Sequence, residues 1–170
     1  MNHLWSPWRM EYIDNNMKES GCAFCLELTK EDGPDNLIIT RGKRAFVILN
    51  RYPYTSGHIM VVPFMHVSSL NELDEECRAE IIELTNQFLL VLENEYHPDG
   101  FNVGMNLGEA AGAGIAEHLH MHIVPRWSGD TNFMTALAET RVLPEALRVT
   151  YMRLKSTWKN SEITAKKEEG

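Results

Sequence analysis

The most chemically informative part of this chain is a run of three histidines at every second position, His118, His120 and His122. A period of two is typical of a β-strand, whose side chains point alternately to opposite faces. On such a strand the imidazoles share one face, about 7 Å from one to the next. Imidazole acts as nucleophile, acid, base or metal ligand near neutral pH. The run therefore predicts a reaction site or a metal site. The alternate positions, which would face the core, are Leu119, Met121 and Ile123.

Composition limits the kind of protein that carries this run. The 170 residues are 44% hydrophobic and 24% charged, which is typical of one globular domain with its own core. We expect that domain over residues 1–159 and a disordered polar tail over 160–170. The sequence lacks an apolar stretch of membrane-spanning length and a signal-peptide pattern, so we expect no membrane partner and a cytoplasmic location. An odd number of cysteines, 3, argues against a disulfide framework.

The formal net charge of −8 disfavours a nucleic acid polymer as partner, because such binding depends on Lys and Arg contacts to phosphates. It does not exclude a small polyphosphate, which a few local donors can bind. The candidate donors near the histidine run are His58, Arg51 and Arg126.

Hydrophobic patterning predicts the elements that position these residues. Period-two segments bounded by turn residues predict strands over 37–40, 45–49, 58–63, 101–107 and 118–125. A 3.6-residue period predicts a long helix from Ser69 to about Tyr96, with Ser69 and Glu72 as a capping box. Further helices are predicted over 3–16 and 144–158. The fold class is α+β: a five-stranded antiparallel sheet, one long helix packed on it, and helical N- and C-terminal extensions.

Two further motifs flank the predicted sheet. A glycine-rich loop over 108–114 precedes the histidine run and either binds an anion or is only a flexible connection. Cys22 and Cys25 have the spacing of a zinc-binding pair, but one pair needs two more ligands for a closed tetrahedral site.

The histidine run, the preceding segment Ser56-Gly57-His58 and the helix between them resemble the histidine triad (HIT) superfamily of nucleotidyl hydrolases and transferases. The similarity covers a core of about residues 22–127. Residues 46–51 and 124–126 resemble the fragile histidine triad branch of dinucleoside polyphosphate hydrolases. Residues 5–13, 108–114, 129–134 and 139–141 resemble the bacterial diadenosine tetraphosphate phosphorylase group. The resemblance implies a HIT-like nucleotide-binding catalytic domain.

The resemblance also implies a mechanism. His120 attacks the α-phosphorus of a dinucleoside polyphosphate and forms a covalent nucleotidyl-imidazole, with His122 and His118 completing the catalytic triad. His58 and His122 contact phosphate oxygens and assist proton transfer. The other substrate-binding residues that the resemblance implies are Asn50 at the sugar, Asn106 at phosphate, and the backbone N–H groups of Gly112, Ala113, Gly114 and Ile115. Turn or strand-end roles are the alternative for the two asparagines.

One departure from the hydrolase pattern bears on the acceptor. In the hydrolases that this chain resembles, a glutamine that contacts phosphate precedes the first triad histidine by four residues, and here that residue is Gly114. The missing side chain leaves room for inorganic phosphate, so we predict phosphorolysis of diadenosine tetraphosphate to ADP and ATP. Ile115 argues the other way, because the phosphorylase group has a small hydroxyl residue there. Hydrolysis that releases AMP is the alternative.

The resemblance implies a structural zinc ion held by Cys22, Cys25, His66 and His118, with no cofactor required for the chemistry. Reduced cysteines packed near the surface are the alternative. Family members are commonly homodimers, and the aromatic N-terminal segment offers a dimer contact. Two rival functions remain open: a metal-binding protein or metal-dependent enzyme whose ion is bound by the three histidines of the run, and a nucleotide-binding module without catalysis.

Overall fold

The structure of the chain is a computed structural model that describes residues 21–130 and 145–168. The predicted N-terminal helix, with its expected dimer contact, and the segments 131–134 and 139–141 lie outside the described residues. In chain order the elements are helix α1 (Ala23–Leu28), strands β1 (Ile38–Arg41), β2 (Ala45–Leu49) and β3 (Ile59–Pro63), helix α2 (Glu75–Tyr96), strands β4 (Gly100–Met105) and β5 (Met121–Arg126), and helix α3 (Leu147–Glu168).

The five strands form one antiparallel sheet in the order β1-β2-β3-β5-β4, which confirms the predicted fold class. Every residue of β2 and β3 is buried, as expected for the middle of a sheet covered by helices. Because β5 lies between β3 and β4, His122 pairs with Met60 on one side and with Gly104 on the other. This order brings His58, which precedes β3, beside the histidine run.

Helix α2 packs across β2, β3 and β5 through apolar residues at helical spacing, as its sequence period predicts. The turn between β2 and β3 packs against the end of α2 at Gly57. Gly57 has φ +76°, and a Cβ atom there would lie 3.1 Å from Leu92 and 3.3 Å from Tyr96, so only glycine fits without strain.

The predicted start of this helix is wrong. Helix α2 begins at Glu75, and its cap is Asp74, whose Oδ1 accepts a hydrogen bond of 2.7 Å from the Cys77 N–H. Ser69 instead precedes a single 3₁₀ turn, and Glu72 accepts hydrogen bonds from Ser68. Ser69 and Asp74 are both suitable cap residues, and they lie within six positions of each other. Which of them caps the helix depends on the surrounding fold and not on the local sequence alone.

Helix α3 also differs from its prediction of 144–158. It begins at Leu147 and continues to Glu168, through most of the expected tail 160–170. Tyr151 and Leu154 are buried, and the Trp158 ring stacks on Phe88 of α2 at 4.7 Å. This anchor fixes the last predicted turn in helical geometry, so propagation along the residues beyond it needs no new nucleus.

The predicted strand over 118–125 is correct only in its second half, because β5 begins at Met121. Before it, the Leu119 N–H donates to the Val67 carbonyl at 2.7 Å, away from the neighbouring strand ladder. Leu119 and Ile123 are buried as predicted, whereas Met121 is only partly buried. His118 and His120 are themselves buried, at 0% and 6% exposure. The histidine run therefore enters the sheet from a buried, irregular segment.

A carboxylate caps the hairpin between β1 and β2. Glu80 of α2 accepts hydrogen bonds from the backbone N–H groups of Lys43 (2.7 Å), Arg44 (2.5 Å) and Ala45 (3.2 Å). The hairpin thus obtains on helix α2 the acceptors that its own turn does not supply.

We expect Glu80→Gln to lower the free energy of unfolding by about 2 kcal/mol, because an amide NH₂ replaces one charged acceptor and leaves an N–H without its partner. Urea unfolding followed by circular dichroism measures this change. Glu83→Gln is the matched control, since Glu83 on the same helix is exposed and bonds only Gln87 among the described side chains. Equal unfolding midpoints for the two variants would contradict the capping role.

Candidate active site and metal centre

The proton position on His120 is set by the backbone. Its Nδ1 lies 2.8 Å from the carbonyl oxygen of His118, and because a carbonyl only accepts, Nδ1 must carry the proton. The lone pair therefore resides on Nε2. Burial, which disfavours the imidazolium, lowers the pKa of His120 below its usual value, although the carbonyl acts in the opposite direction. A neutral imidazole with an oriented Nε2 lone pair is a nitrogen nucleophile or a ligand.

His58 and His122 form a second pair whose protons follow from the same reasoning. The Tyr54 N–H donates to Nδ1 of His58 at 3.1 Å, so the proton of neutral His58 lies on Nε2. That Nε2 lies 2.9 Å from Nδ1 of His122, to which it donates, and the proton of neutral His122 is then on Nε2. The rings of His120 and His122 are 4.8 Å apart between centroids. A nucleophilic lone pair and an N–H donor thus lie side by side.

The two asparagines bond to neighbouring parts of the site. Asn50 Oδ1 accepts from the Tyr52 N–H at 2.9 Å, and its Nδ2 lies 3.3 Å from Nδ1 of His58. Asn106 Nδ2 lies 3.5 Å from the Gly112 carbonyl, which ties the glycine-rich loop to the end of β4. Both asparagines thus make polar contacts within the protein near the histidines. Their expected contacts with the sugar and with phosphate stay predictions.

The glycine-rich loop turns through a single 3₁₀ turn over Glu109–Ala111, with Gly112 at φ +86°. The N–H groups of Gly112 and Ala113 donate to Glu109 and Gly108 carbonyls within the loop, at 2.9 and 3.4 Å. Of the four predicted anion donors, those of Gly114 and Ile115 are the ones not used in this turn. Gly114 is exposed, whereas the Ile115 side chain is buried at 9% exposure.

The predicted arginine donors are engaged elsewhere. Arg51 bonds Glu27 and the Asp35 carbonyl, both at 3.1 Å. Arg126 bonds Asp130 at 2.5 Å and Asn102 at 2.6 Å. Proximity in sequence to β2 and β5 suggested these residues, but the carboxylates that neutralise them lie on other elements. Of the three predicted donors, the structure places His58 alone against the histidine run.

Four residues from three distant segments converge beside the run. Cys22 and Cys25 flank the start of α1, His66 follows β3 and His118 precedes β5, and their ligand atoms all lie within 4.8 Å of one another. The nitrogen–sulfur distances are 3.2 Å from Cys22 to His118, 3.4 Å from Cys25 to His66, and 3.7 Å from Cys25 to His118. Zinc bond lengths and a tetrahedral angle give about 3.6 Å between a sulfur and a nitrogen ligand.

The chemistry of this donor set fits zinc. His118 Nε2 donates to the Pro63 carbonyl at 3.0 Å, so the Nδ1 lone pair faces the sulfur atoms, in the arrangement that zinc-binding histidines have. Burial raises the pKa of the Cys22 thiol to about 11, and burial lowers the pKa of His118. The first shift disfavours the thiolate of Cys22 and the second disfavours the imidazolium of His118. A cation among the four residues would instead favour the thiolate forms of the cysteines.

Two residues near the histidines were not singled out from the sequence. The Phe24 ring, between the cysteines, lies 5.3 Å from His118 and 5.2 Å from His120. The Tyr54 ring lies 4.6 Å from His58. For Phe24 the sequence does contain a signal, because a residue between two cysteines with metal-binding spacing would have its backbone position fixed if both bound an ion.

Comparison with known proteins agrees with this geometry. A model of the HIT domain matches residues 31–129. The chain is 41% identical over 165 residues to a protein of Mycobacterium tuberculosis (strain ATCC 25618 / H37Rv) named AP-4-A phosphorylase, over 93% of this chain and 85% of that protein.

Solved structures agree as well. A Zn-bound histidine triad family protein from Mycobacterium smegmatis is 25% identical with a TM-score of 0.67, over 85% of this chain and 97% of that chain. A hypothetical histidine triad nucleotide-binding protein from Sulfolobus tokodaii is 26% identical with a TM-score of 0.66, over 82% and 93%. Within the described residues, no helix is long and apolar enough to cross a membrane. The family model, the relative and the shared fold together show that the chain belongs to the HIT domain family.

Proposed function

We propose that this chain is a nucleotidyltransferase that cleaves diadenosine tetraphosphate with inorganic phosphate, releasing ADP and ATP through a nucleotidyl-His120 intermediate. The observation that carries the proposal is the hydrogen bond from His120 Nδ1 to the His118 carbonyl, because it commits the lone pair to Nε2. The likeness to the AP-4-A phosphorylase of Mycobacterium tuberculosis supports this choice of substrate.

In the first step, the Nε2 lone pair of His120 forms a bond to the α-phosphorus. The bond from that phosphorus to the bridging oxygen breaks, and ATP leaves with the electron pair. The Nδ1 proton stays on the ring, and the cationic charge that develops there is stabilised by the His118 carbonyl at 2.8 Å. His122, protonated on Nε2 in the tautomer that His58 imposes, donates to a phosphate oxygen.

In the second step, an oxygen of inorganic phosphate attacks the same phosphorus, the P–N bond breaks, and ADP leaves. One difficult displacement thereby becomes two easier ones. Exposed Gly114 presents no side chain against this acceptor, and the buried Ile115 side chain cannot block it. In this proposal Asn50 binds the sugar, Asn106 binds phosphate, and the Gly112, Ala113, Gly114 and Ile115 loop contacts anionic oxygens, chiefly through its last two N–H groups.

We propose a structural rather than a catalytic role for the side chain of His118. Its two ring nitrogens are directed to the Pro63 carbonyl and to the cysteine sulfurs, so neither is available to a substrate. With Cys22, Cys25 and His66 it would hold zinc in a closed site, which ties α1 to the sheet. The ion supplies no step of the reaction.

The nucleotidyl-enzyme intermediate is directly testable. With diadenosine tetraphosphate labelled at the α-phosphorus, and a quench in alkaline denaturant that preserves P–N bonds, we expect label on the peptide that contains His120. His120→Asn removes the nucleophile and should lower turnover at least about a thousandfold. His97→Asn is the control, because His97 is an exposed helix cap at φ +46° that asparagine also adopts. Full turnover by His120→Asn would refute the mechanism, and substrate binding without label would favour a non-catalytic module.

Product analysis separates phosphorolysis from hydrolysis. We expect the wild-type chain to form ADP plus ATP when phosphate is present, and little AMP without it. Gly114→Gln places an amide beside the phosphorus and should raise the AMP fraction severalfold, measured by anion-exchange chromatography. Gly33→Gln is the matched control, since a side chain there meets open space away from the histidines. AMP as the main wild-type product, with phosphate present, would establish the hydrolase alternative.

Metal analysis tests the zinc proposal. We expect about one zinc ion per chain by plasma mass spectrometry, and its loss in Cys25→Ser, because three ligands no longer close a tetrahedral site. Cys77→Ala serves as the control: Cys77 is a buried residue of α2 whose Sγ contacts the Arg44 carbonyl, so this variant should unfold more easily yet retain its zinc. Zinc-free wild-type protein that gains no thermal stability from added Zn²⁺ would contradict a structural site.

A further inference from the structure

Phe24 is a buried aromatic residue to which neither the reaction nor the zinc site assigns a part. It lies between Cys22 and Cys25 and is 4% exposed. Its ring meets the His118 ring edge-on, at 5.3 Å and 75°, and the His120 ring at 5.2 Å and 54°. A single side chain therefore contacts both a candidate metal ligand and the proposed nucleophile.

The position of Phe24 depends on the segment that carries it. Helix α1 has only 6 residues, too few to be stable by its own hydrogen bonds. Its other polar ties to neighbouring segments include the Glu27 carbonyl, which accepts from Asn36 at 3.3 Å, the Glu27 carboxylate, which pairs with Arg51 at 3.1 Å, and the Leu28 carbonyl, which accepts from Arg41 at 3.4 Å. All three are at the far end of α1 from the cysteines. At the near end, a metal ion bound by the residues on either side of Phe24 would fix its backbone.

The His120 ring needs such a neighbour. Its hydrogen bond to the His118 carbonyl fixes the direction of Nδ1 but still allows the ring plane to turn about that bond. Ring contacts with Phe24 and with His122, at 5.2 and 4.8 Å, restrict that rotation. An error of about 1 Å in a reacting atom can lower a rate as much as a hundredfold, so this restriction has kinetic consequences.

We infer that Phe24 is a positioning residue for His120 and that it couples occupancy of the Cys22, Cys25, His66 and His118 site to the geometry of the nucleophile. The inference rests on the proposed function for the role of His120. Two contacts connect the candidate metal site to the His120 ring. His118 provides the carbonyl that holds Nδ1 of His120, and Phe24 packs against the ring.

Phe24→Leu in the zinc-loaded, full-length chain tests the first part. Leucine keeps most of the buried volume and removes the flat ring. We expect kcat for diadenosine tetraphosphate to fall about tenfold, with KM within about twofold and zinc content unchanged. Phe88→Leu is the matched control, because Phe88 is fully buried against Trp158. This variant also loses a phenyl ring from the core, and it should keep the wild-type kcat. An unchanged kcat for Phe24→Leu would overturn the inference. A raised KM alone would also overturn it, because that result indicates that Phe24 contacts the substrate.

Nitrogen NMR of the histidine side chains at one fixed pH gives a readout that does not depend on turnover. The zinc-loaded wild-type chain should show one sharp Nε2 resonance for His120, and Phe24→Leu should broaden it, because the ring turns about its hydrogen bond while Nδ1 keeps its proton. Removal of zinc by a chelator should broaden the same resonance, and added Zn²⁺ should restore it. A sharp Nε2 resonance in both the metal-free chain and Phe24→Leu would overturn the coupling. If the wild-type chain forms no nucleotidyl-His120, the proposed function fails, while the comparison of Nε2 line widths still decides the inference.

Discussion

The hydrogen bond between His120 Nδ1 and the carbonyl oxygen of His118 is the constraint on which the rest of the site depends. Without it, a neutral imidazole would distribute its proton between two nitrogens, and either could present its lone pair. With it, one nitrogen holds the proton against an oxygen that can only accept, and the other holds the lone pair. Because donor and acceptor are two residues apart, the bond requires a backbone bend that a regular strand does not have. The irregular segment before β5 supplies that bend.

The other histidines of the site are oriented by backbone groups in the same way. A peptide N–H at Tyr54 assigns the proton of His58 and, through it, that of His122, and the Pro63 carbonyl assigns the proton of His118. Backbone groups do not titrate, so these assignments hold wherever the rings are neutral. Burial, which lowers the pKa values of His118 and His120, keeps those two rings neutral under ordinary conditions. The backbone in and around the sheet therefore contributes fixed dipoles as well as a framework.

Local patterning accounts for much of what the sequence predicts. Strand β2 has the predicted bounds, because Ala45–Leu49 is an uninterrupted apolar run between turn residues. The alternation of His118, His120 and His122 also correctly placed reactive residues together, although for a partly mistaken reason, since the first two precede the strand. The start of β5 depends on the Leu119 hydrogen bond to Val67, a contact between distant segments. Tautomers, the engagement of Arg51 and Arg126, and the length of α3 likewise depend on partners that no local pattern reveals.

The opposite tautomers of His118 and His120 also match the two chemical roles that we propose for the run. His118 is protonated on Nε2 and presents Nδ1, the nitrogen closer to the backbone, to the cysteine sulfurs of α1. His120 is protonated on Nδ1 and presents Nε2, the more distant nitrogen. A metal ion bound by all three histidines would need lone pairs that converge, but Nδ1 of His122 already accepts from His58. Within residues 21–130 and 145–168, the convergent group of potential metal ligands is instead Cys22, Cys25, His66 and His118. The geometry thus favours the division that we propose, with His118 assigned to metal binding and His120 and His122 to phosphorus chemistry.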